Sequence, residues 1–275
     1  MISDDDRLAA DLAVEAGRRL LALRAAGGAA DELRRAGDRS SHEFLAAELA
    51  RQRPGDAVLS EEGADDLARL SADRVWIVDP LDGTREFGEP GRSDWAVHVA
   101  LWERGELTAG AVALPAQDKV LSTADPVKPP AAPPSAVLAH GGATPAAPPA
   151  VLATGGATPP DPPAVLRLLV SRTRPPEFMT RLARKLGAEL VPLGSAGAKA
   201  AAVICGDAEA YVHSGGQYEW DSAAPVAVAV ASGLHASRID GSKLSYNQAK
   251  PSLPDILICQ AALADTLLEA ISSVR

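Results

Sequence analysis

The residues best suited to chemistry lie in one short segment, 75–87, which reads V-W-I-V-D-P-L-D-G-T-R-E-F. Asp79 and Asp82 follow an apolar run that is typical of a buried strand, at the point where the strand gives way to a turn. Such a turn can direct both carboxylates, and the Leu81 carbonyl oxygen between them, at one point. Hard cations such as Mg²⁺ bind in oxygen cages of this kind, so the segment predicts a cation site.

The same turn also favours an anion. Pro80 restricts Asp79 to an extended conformation, and Gly83 allows a tight bend or a close approach to a ligand. If a helix begins at Gly83 and Thr84, its free N–H groups face the same point and attract a group such as phosphate. An ordinary Asp-Gly turn after a strand is the alternative that the chemistry leaves open.

Three further acidic residues have both a structural and a functional interpretation. Asp38 precedes a helical stretch predicted at 39–52 and could cap its N-terminus. Glu61, in S-E-E-G after a short strand, could be solvated surface. Asp221 stands at the start of an apolar helix and could cap it. A functional role for each depends on whether the fold brings them to the turn.

Together these stretches resemble the signatures of the inositol monophosphatase superfamily, the Mg²⁺-dependent, lithium-inhibited phosphatases. Its pattern is an apolar strand followed by D-P-[ILV]-D-G-T, a glutamate pair about twenty residues earlier, and W-D followed by small residues. All three occur here, with Asp221 about 140 residues after Asp79. The resemblance covers about residues 3–123 and 164–270.

Finer features resemble the CysQ-type 3′(2′),5′-bisphosphate nucleotidase branch. They are E-W-D-S-A-A at 219–224, Gly194-Ser195 followed by Lys199, L-S-Y-N at 244–247 and K-P-S-L at 250–253. Enzymes of this branch remove the 3′-phosphate of adenosine 3′,5′-bisphosphate. Gly197-Ala198 departs from the pattern, because bulkier residues are usual there.

The resemblance implies a site that holds two or three Mg²⁺ ions. It assigns Glu61, Asp79 and the Leu81 carbonyl to the activating ion, and Asp79, Asp82 and Asp221 to a second. Catalytic roles fall on Asp38, Glu61 and Thr84, with Thr84, oriented by Asp38, relaying a proton from the attacking water. Substrate contacts fall on Asp82, Gly83, Thr84, Gly194, Ser195, Lys199 and Asp221.

The implied function is hydrolysis of adenosine 3′,5′-bisphosphate to AMP and phosphate in sulfate assimilation. Inositol 1-phosphate and fructose 1,6-bisphosphate are alternative substrates, because a metal motif recognises only the phosphate group and not the rest of the molecule. A catalytically inactive paralogue that binds metal or phosphate is the alternative of another class. The expected partner is a small phosphorylated metabolite, a nucleotide bisphosphate or a sugar or inositol phosphate, and the resemblance is compatible with a homodimer.

The implied fold is α+β or α/β, a layered αβαβα sandwich of the inositol monophosphatase (sugar phosphatase) type. We predict an N-terminal α+β half at 1–124 with the metal motif, an insert at 125–163 and a C-terminal α/β half at 164–275. Predicted helices span 4–25, 39–52, 175–186 and 194–205; predicted strands span 57–59, 75–78, 95–102, 107–114, 119–123, 166–171, 188–192 and 208–213. His98, on the strand face opposite Trp95, is predicted to be a packed histidine and not a ligand.

The insert is compositionally distinct. It holds twelve of the 22 prolines, and a fourteen-residue unit occurs at 136–149 and again at 150–163. We predict an exposed linker or lid that adds nothing to the core.

Composition limits the remaining function classes. The 275 residues carry a net charge of −9, which argues against a nucleic-acid-coating surface. The acidic N-terminus is not a signal peptide, and the longest apolar run, 223–231, is too short to span a membrane. Cys205 and Cys259, both in apolar runs, are typical of free thiols in a reducing compartment. These features predict a cytoplasmic protein without nucleic-acid or membrane partners.

Overall fold

The computed structural model describes residues 2–129 and 165–275. Its helices are α1 Asp4–Ala26, α2 Ala30–Gln52, α3 Thr84–Gly88, α4 Met179–Leu186, α5 Ala196–Cys205, α6 Glu219–Ala231 and α7 Ala264–Val274. Its strands are β1 Ala57–Ser60, β2 Arg74–Asp82, β3 Ala96–Glu103, β4 Glu106–Leu114, β5 Lys119–Ser122, β6 Arg167–Ser171, β7 Glu189–Leu193, β8 Ala210–Tyr218, β9 His235–Ser237 and β10 Ser252–Cys259. The repeat units lie outside the described residues, so the predicted linker stays a prediction.

The strands form two five-stranded sheets. The first has the order β1-β2-β3-β4-β5, with β1 parallel to β2 and the other neighbours antiparallel. The second has the order β7-β6-β8-β10-β9, with β6 parallel to both β7 and β8 and an antiparallel β8-β10-β9 edge. Both sheets are mixed, which is consistent with the predicted α+β sandwich.

Three buried clusters separate the layers. Leu12 of α1 and Leu45 of α2 pack with Trp76 of β2 on the outer face of the first sheet. Residues of both sheets join α5 and α6 in the central cluster. Leu182 of α4 and Leu267 of α7 cover the far face of the second sheet. The order is therefore αβαβα, which confirms the predicted fold class.

The two halves share the central cluster. Ile77 of the first sheet and Ile258 of the second are both fully buried in it, together with Ala224 of α6. Helix α6 makes contacts with β2, β3 and β4, although it belongs to the C-terminal half of the chain. The two predicted halves are joined through one hydrophobic core, so α6 is held firmly against the strand that carries the acidic motif.

Two predicted helix starts are wrong. Helix α2 begins at Ala30 and not at 39, so Asp38 lies inside the helix and does not cap it. Gly37 also lies inside α2 and is needed for packing: a Cβ there would lie 2.8 Å from the Phe87 ring and 2.9 Å from Leu81. Helix α4 begins at Met179 and not at Pro175, because the prolines form a turn in which the Met179 N–H donates to the Pro176 carbonyl at 3.0 Å.

Other local predictions are confirmed. The helix predicted at 4–25 is α1, which has a capping box of Ser3 and Asp6 at its start and Gly27, with φ 76°, at its end. Cys205 and Cys259 are free thiols. Within residues 2–129 and 165–275, none of the helices combines the length and the apolar character that a bilayer crossing needs.

Candidate active site

Strand β2 ends in a bulge that reorients the acidic motif. Asp79 pairs with His98 on β3, whereas Asp82 pairs with Ala96, so three steps along β2 match two along β3. Residues three apart on a regular strand point to opposite faces, and one extra residue removes that alternation. The bulge therefore allows Asp79 and Asp82 to face one site.

The turn after the bulge is fixed by Gly83 and by local hydrogen bonds. Gly83 has φ 86° and precedes α3, as predicted, and a Cβ there would lie 2.9 Å from Ser195. The Asp79 carboxylate accepts the Leu81 N–H at 3.0 Å, and Ser41 of α2 donates to the Pro80 carbonyl at 2.7 Å. An ordinary Asp-Gly turn needs none of these partners.

Three carboxylates converge at this turn. Oxygen atoms of Asp79, Asp82 and Asp221 all lie within 4.8 Å of one another. Asp221 comes from the first turn of α6, where it also accepts the Tyr218 N–H at 2.6 Å, so it caps the helix and joins the cluster. Glu61 is exposed as a residue and is not one of these three, but it lies close enough for its charge to act on Asp79.

The electrostatics of the cluster are those of a site built for a cation. Loss of water and the charges of neighbouring carboxylates raise the pKa of Glu61 to about 7 and that of Asp221 to about 6. Burial, followed by the charges of Glu61 and Asp82, raises the pKa of Asp79 well above its usual range. Oxygen donors in this crowded arrangement suit Mg²⁺, so the residues present fit a divalent metal.

The pKa of Asp82 shifts the other way, because cationic and N–H groups lie close to its carboxylate. Burial alone would raise its pKa, but the charge of His98 and then that of Lys199 hold the pKa of Asp82 below its usual range. Its carboxylate also accepts the Gly197 N–H at 2.7 Å, at the N-terminus of α5. His98 Nε2 lies 3.2 Å from Asp82 Oδ2, and His98 Nδ1 contacts the Trp220 carbonyl at 3.1 Å.

His98 is thus packed, as predicted, and also supports a residue of the acidic cluster. Strand alternation could identify its face but not its partner Asp82, which pairs with Ala96, two residues from His98 along β3 and across the bulge. Gly197, noted as a departure from the family pattern, makes room for this ring, since a Cβ at 197 would overlap His98 Nε2.

Asp38 reaches the site through Thr84. The Thr84 hydroxyl lies 3.2 Å from Asp38 Oδ1 and 3.1 Å from the Leu81 carbonyl oxygen. Burial, followed by the charge of Glu62, raises the pKa of Asp38 to about 6. The predicted pairing of Thr84 with Asp38 is present, although Asp38 reaches it from within α2 and not from its first residue.

The acidic cluster adjoins a cleft of about 370 Å³. Of the predicted site residues, Asp82, Gly83, Thr84, Gly194, Ser195, Lys199 and Asp221 line this cleft. Lys199 is almost fully buried and donates to the Gly194 and Ser195 carbonyls, the latter at 2.8 Å. Burial lowers its pKa to about 8, while nearby carboxylates oppose the shift.

Sequence reasoning missed other residues that line the cleft, among them Arg172, Arg174 and His213. Arg172 contacts Glu86 at 2.7 Å and Glu89 at 2.9 Å. Within the described part of the chain, Arg174 makes no ion pair. The available signal was S-R-T-R at the carboxyl end of a parallel strand, where ligands commonly bind in α/β sheets.

A five-layered αβαβα sandwich with an acidic cluster at a strand end defines a class of metal-dependent phosphatases. The chain belongs to the inositol monophosphatase family, whose sequence profile matches residues 7–274.

Similar proteins within this family share one name or one branch. A Mycobacterium bovis protein named 3′-phosphoadenosine 5′-phosphate phosphatase is 51% identical over 265 residues, covering 94% of this chain and 90% of the relative. The Mycobacterium leprae protein of the same name is 48% identical, covering 98% and 94%. The crystal structure of CysQ from Bacteroides thetaiotaomicron, at 27% identity, matches with a TM-score of 0.70 over 92% of this chain and 96% of that one.

Proposed function

We propose that this protein is a Mg²⁺-dependent phosphomonoesterase that hydrolyses the 3′-phosphate of adenosine 3′,5′-bisphosphate to give AMP and phosphate. The observation that carries the proposal is the convergence of Asp79, Asp82 and Asp221 within 4.8 Å beside a cleft that also contains basic side chains. The names of the mycobacterial relatives, at about half identity over most of the chain, support the choice of substrate.

Glu61, Asp79, Asp82, Asp221 and the Leu81 carbonyl would hold two or three Mg²⁺ ions. When bound, Mg²⁺ withdraws charge from the phosphate oxygens and lowers the pKa of the attacking water. This protein's own task is to keep several carboxylates close together against their mutual repulsion, which the β2 bulge and the capped N-terminus of α6 achieve.

Thr84 and Asp38 would handle the proton. A hydroxyl has one proton and can donate to only one of its two neighbours, the Asp38 carboxylate or the Leu81 carbonyl. If the Leu81 carbonyl holds a cation, the Thr84 hydroxyl would donate its hydrogen bond to Asp38. Thr84 would then pass its own proton to the Asp38 carboxylate as its oxygen takes one from the water, so that Asp38 ends as the carboxylic acid and Thr84 as the neutral hydroxyl. A bare Thr hydroxyl is a poor base, so this carboxylate partner matters.

The N-termini of α3 and α5 border the position for the phosphate leaving the ribose. The Gly83 and Thr84 N–H groups would steady it from one side. Ser195 and Lys199 would do so from the other, where the third ammonium donor of Lys199 remains beyond its two carbonyl contacts.

A second phosphate distinguishes this substrate from a monophosphate, and Arg174 is suited to bind it. Arg174 lines the same cleft and is exposed there, close to Gly216, where a Cβ would lie 3.0 Å from the guanidinium group. Arg172 is occupied by Glu86 and Glu89. An uncommitted guanidinium is the side chain that forms strong bidentate contacts with phosphate.

Phosphate release from a substrate panel tests the reaction. We expect the highest kcat/KM on adenosine 3′,5′-bisphosphate, lower values on inositol 1-phosphate and fructose 1,6-bisphosphate, and no activity after chelation until Mg²⁺ is restored. Inhibition by Li⁺ is expected from the resemblance. Full activity in excess chelator would contradict metal dependence, and a Mg²⁺-binding protein inert on the whole panel would support the inactive paralogue.

Arg174→Met tests the second-phosphate contact. Because a charge-assisted hydrogen bond is lost, kcat/KM on the bisphosphate should fall about ten- to a hundredfold, with little change on adenosine 3′-monophosphate. Arg172→Met is the matched control, since it removes contacts to α3 and should affect both substrates alike. Equal losses on both substrates in Arg174→Met would show that it does not read the second phosphate.

Cellular context follows from the substrate. The proposed reaction implies a role in sulfate assimilation in the cytoplasm, where two free thiols are stable.

A further inference from the structure

A buried network outside the cleft connects the loop of Glu61 to the helix of Asp221. It begins at Arg69, on a short 3₁₀ helix at Leu67–Ser71, where the residue is 1% exposed. Its guanidinium group contacts Asp65 at 2.6 and 3.0 Å. This pair closes the far end of the loop that starts at Glu61.

Arg69 then crosses to a loop in the C-terminal half. It donates to the Asn247 side-chain oxygen at 2.6 Å and to the Gln248 carbonyl at 2.9 Å. The Asn247 amide returns a hydrogen bond to the Arg69 carbonyl at 3.1 Å. Asn247 has φ 60°, a left-handed conformation that Asn tolerates better than most residues.

Glu219 completes the network at the first residue of α6. It is 1% exposed, and its two carboxylate oxygens accept the Asn247 N–H at 2.6 Å and the Gln248 N–H at 2.8 Å. Asp221 follows two residues later on the same helical turn. The contacts thus run from the Glu61 loop, through Arg69 and Asn247, to the helix that presents Asp221.

The Glu61 loop needs such support. Glu61 is exposed, and its own N–H makes a long hydrogen bond of 3.4 Å to the Val78 carbonyl. Asp79 and Asp82, by contrast, are buried at the end of a strand paired on both sides. The position of Glu61 relative to the other carboxylates therefore depends on how the rest of its loop is held.

We propose that Arg69, Asn247 and Glu219 are positioning residues that set the distance between Glu61 and Asp221 and thereby the affinity of the site for Mg²⁺. They touch neither the metal site nor the cleft. The inference rests on the proposed metal-dependent function, and it adds determinants of metal affinity that are not themselves among the predicted metal ligands.

Arg69→Met and Glu219→Gln test it from both ends. Met fills similar space but donates no hydrogen bond. Gln offers one acceptor oxygen to two N–H donors and turns its own NH₂ group towards the second. Supporting partners of metal ligands typically contribute tenfold or more, so each change should raise the Kd for Mg²⁺ about tenfold in calorimetric titration without substrate.

Arg238→Met is the matched control. Arg238 contacts the Asp255 carboxylate at 2.7 and 2.8 Å, and that carboxylate also accepts the Ile239 N–H at 2.9 Å. The chemistry is that of the Arg69 network, but the pair lies at the edge of the second sheet. Its loss should lower Tm in chelator and leave the Kd for Mg²⁺ within about twofold of wild type.

Activity gives an independent measurement. At saturating Mg²⁺, the Arg69 and Glu219 variants should recover kcat to within about threefold, because the ligands themselves are intact. Their half-activating Mg²⁺ concentration should rise in parallel with Kd. If Arg69→Met does not fold, Arg69→Lys and Glu219→Gln take its place, and Arg69→Lys should show a smaller rise in Kd.

The possible failures are distinct. A folded Arg69 or Glu219 variant with wild-type Kd, or an equal rise in Arg238→Met, would overturn the positioning role while leaving the proposed function intact. A wild-type protein that neither binds Mg²⁺ nor releases phosphate would remove the proposed function, and this inference with it.

Discussion

Asp79 and Asp82, three residues apart, sit in opposite electrostatic surroundings. Asp79 faces Glu61, Asp82 and Asp221, so burial and like charges disfavour its ionised form. Asp82 is compensated by His98 and by the N-terminus of α5. Mutual repulsion in a metal-free site therefore falls on Asp79, Glu61 and Asp221, and Asp82 is largely spared.

The two Asn variants separate these surroundings. Asp82→Asn should lower kcat by about a thousandfold through loss of a charged metal ligand. It should also lower the free energy of unfolding in chelator by about 1–3 kcal/mol, because His98 loses its carboxylate partner. Asp79→Asn should lose comparable activity but keep or gain stability in chelator. Phosphate release at saturating Mg²⁺ and melting curves in chelator measure both, and more than about a tenth of wild-type activity in Asp82→Asn would make it a turn residue only.

Site residues that lie close together in the sequence could be predicted, whereas residues with distant partners could not. Asp79, Asp82 and Gly83 lie in one contiguous signature, so their convergence follows from a single turn. Arg69 was not predictable, because it belongs to no motif and its partner Asn247 is 178 residues away. The L-S-Y-N motif at 244–247 includes Asn247 but does not identify its partner. Long-range hydrogen bonds leave no periodic pattern in a sequence.

At the scale of elements, the site depends on where α5 and α2 approach the acidic turn. Gly37 lets α2 lie against Leu81 and Phe87, and Gly197 lets the first turn of α5 reach Asp82 over His98. Sequence periodicity predicted that these helices exist but misplaced the start of α2, since Asp38 was interpreted as a helix N-cap although it lies inside the helix.

Gly197→Ala tests this close approach. Helix propensity alone would favour Ala by about 1 kcal/mol, but the new Cβ would overlap His98 Nε2 and approach Ala96 to 3.0 Å. Overpacking of about 1–3 kcal/mol should win, lowering Tm and activity together. In a His98→Ala background the cost should largely disappear, while Gly55→Ala, with open space around it, should be neutral. A Gly197→Ala protein as stable and active as wild type would show that α5 need not approach this closely.

The whole molecule divides its tasks between its halves. The first sheet supplies Asp79 and Asp82, and the second half supplies Asp221, Lys199 and Arg174. Because α6 belongs to the core shared by both sheets, the acidic residues of the two halves are held in one rigid frame. Negatively charged side chains of both halves are therefore held close together at one site. Their mutual repulsion should lower the stability of the metal-free protein.

Stability in chelator and in Mg²⁺ should therefore diverge as pH rises. Glu61 has a pKa of about 7 and Asp221 one of about 6, both above their ordinary values, so the folded metal-free protein binds more protons than the unfolded chain. Its stability should fall from about pH 5 to 8, as these carboxyls ionise without a partner. Burial lowers the pKa of His213 to about 4, so its contribution to stability rises with pH. That contribution is the same with and without metal. Mg²⁺ binds the ionised carboxylates, so the increase in Tm that it produces should grow across this range. Melting curves at matched ionic strength measure the difference, and an increase in Tm that stays constant from about pH 5 to 8 would mean that these carboxyls do not hold the metal.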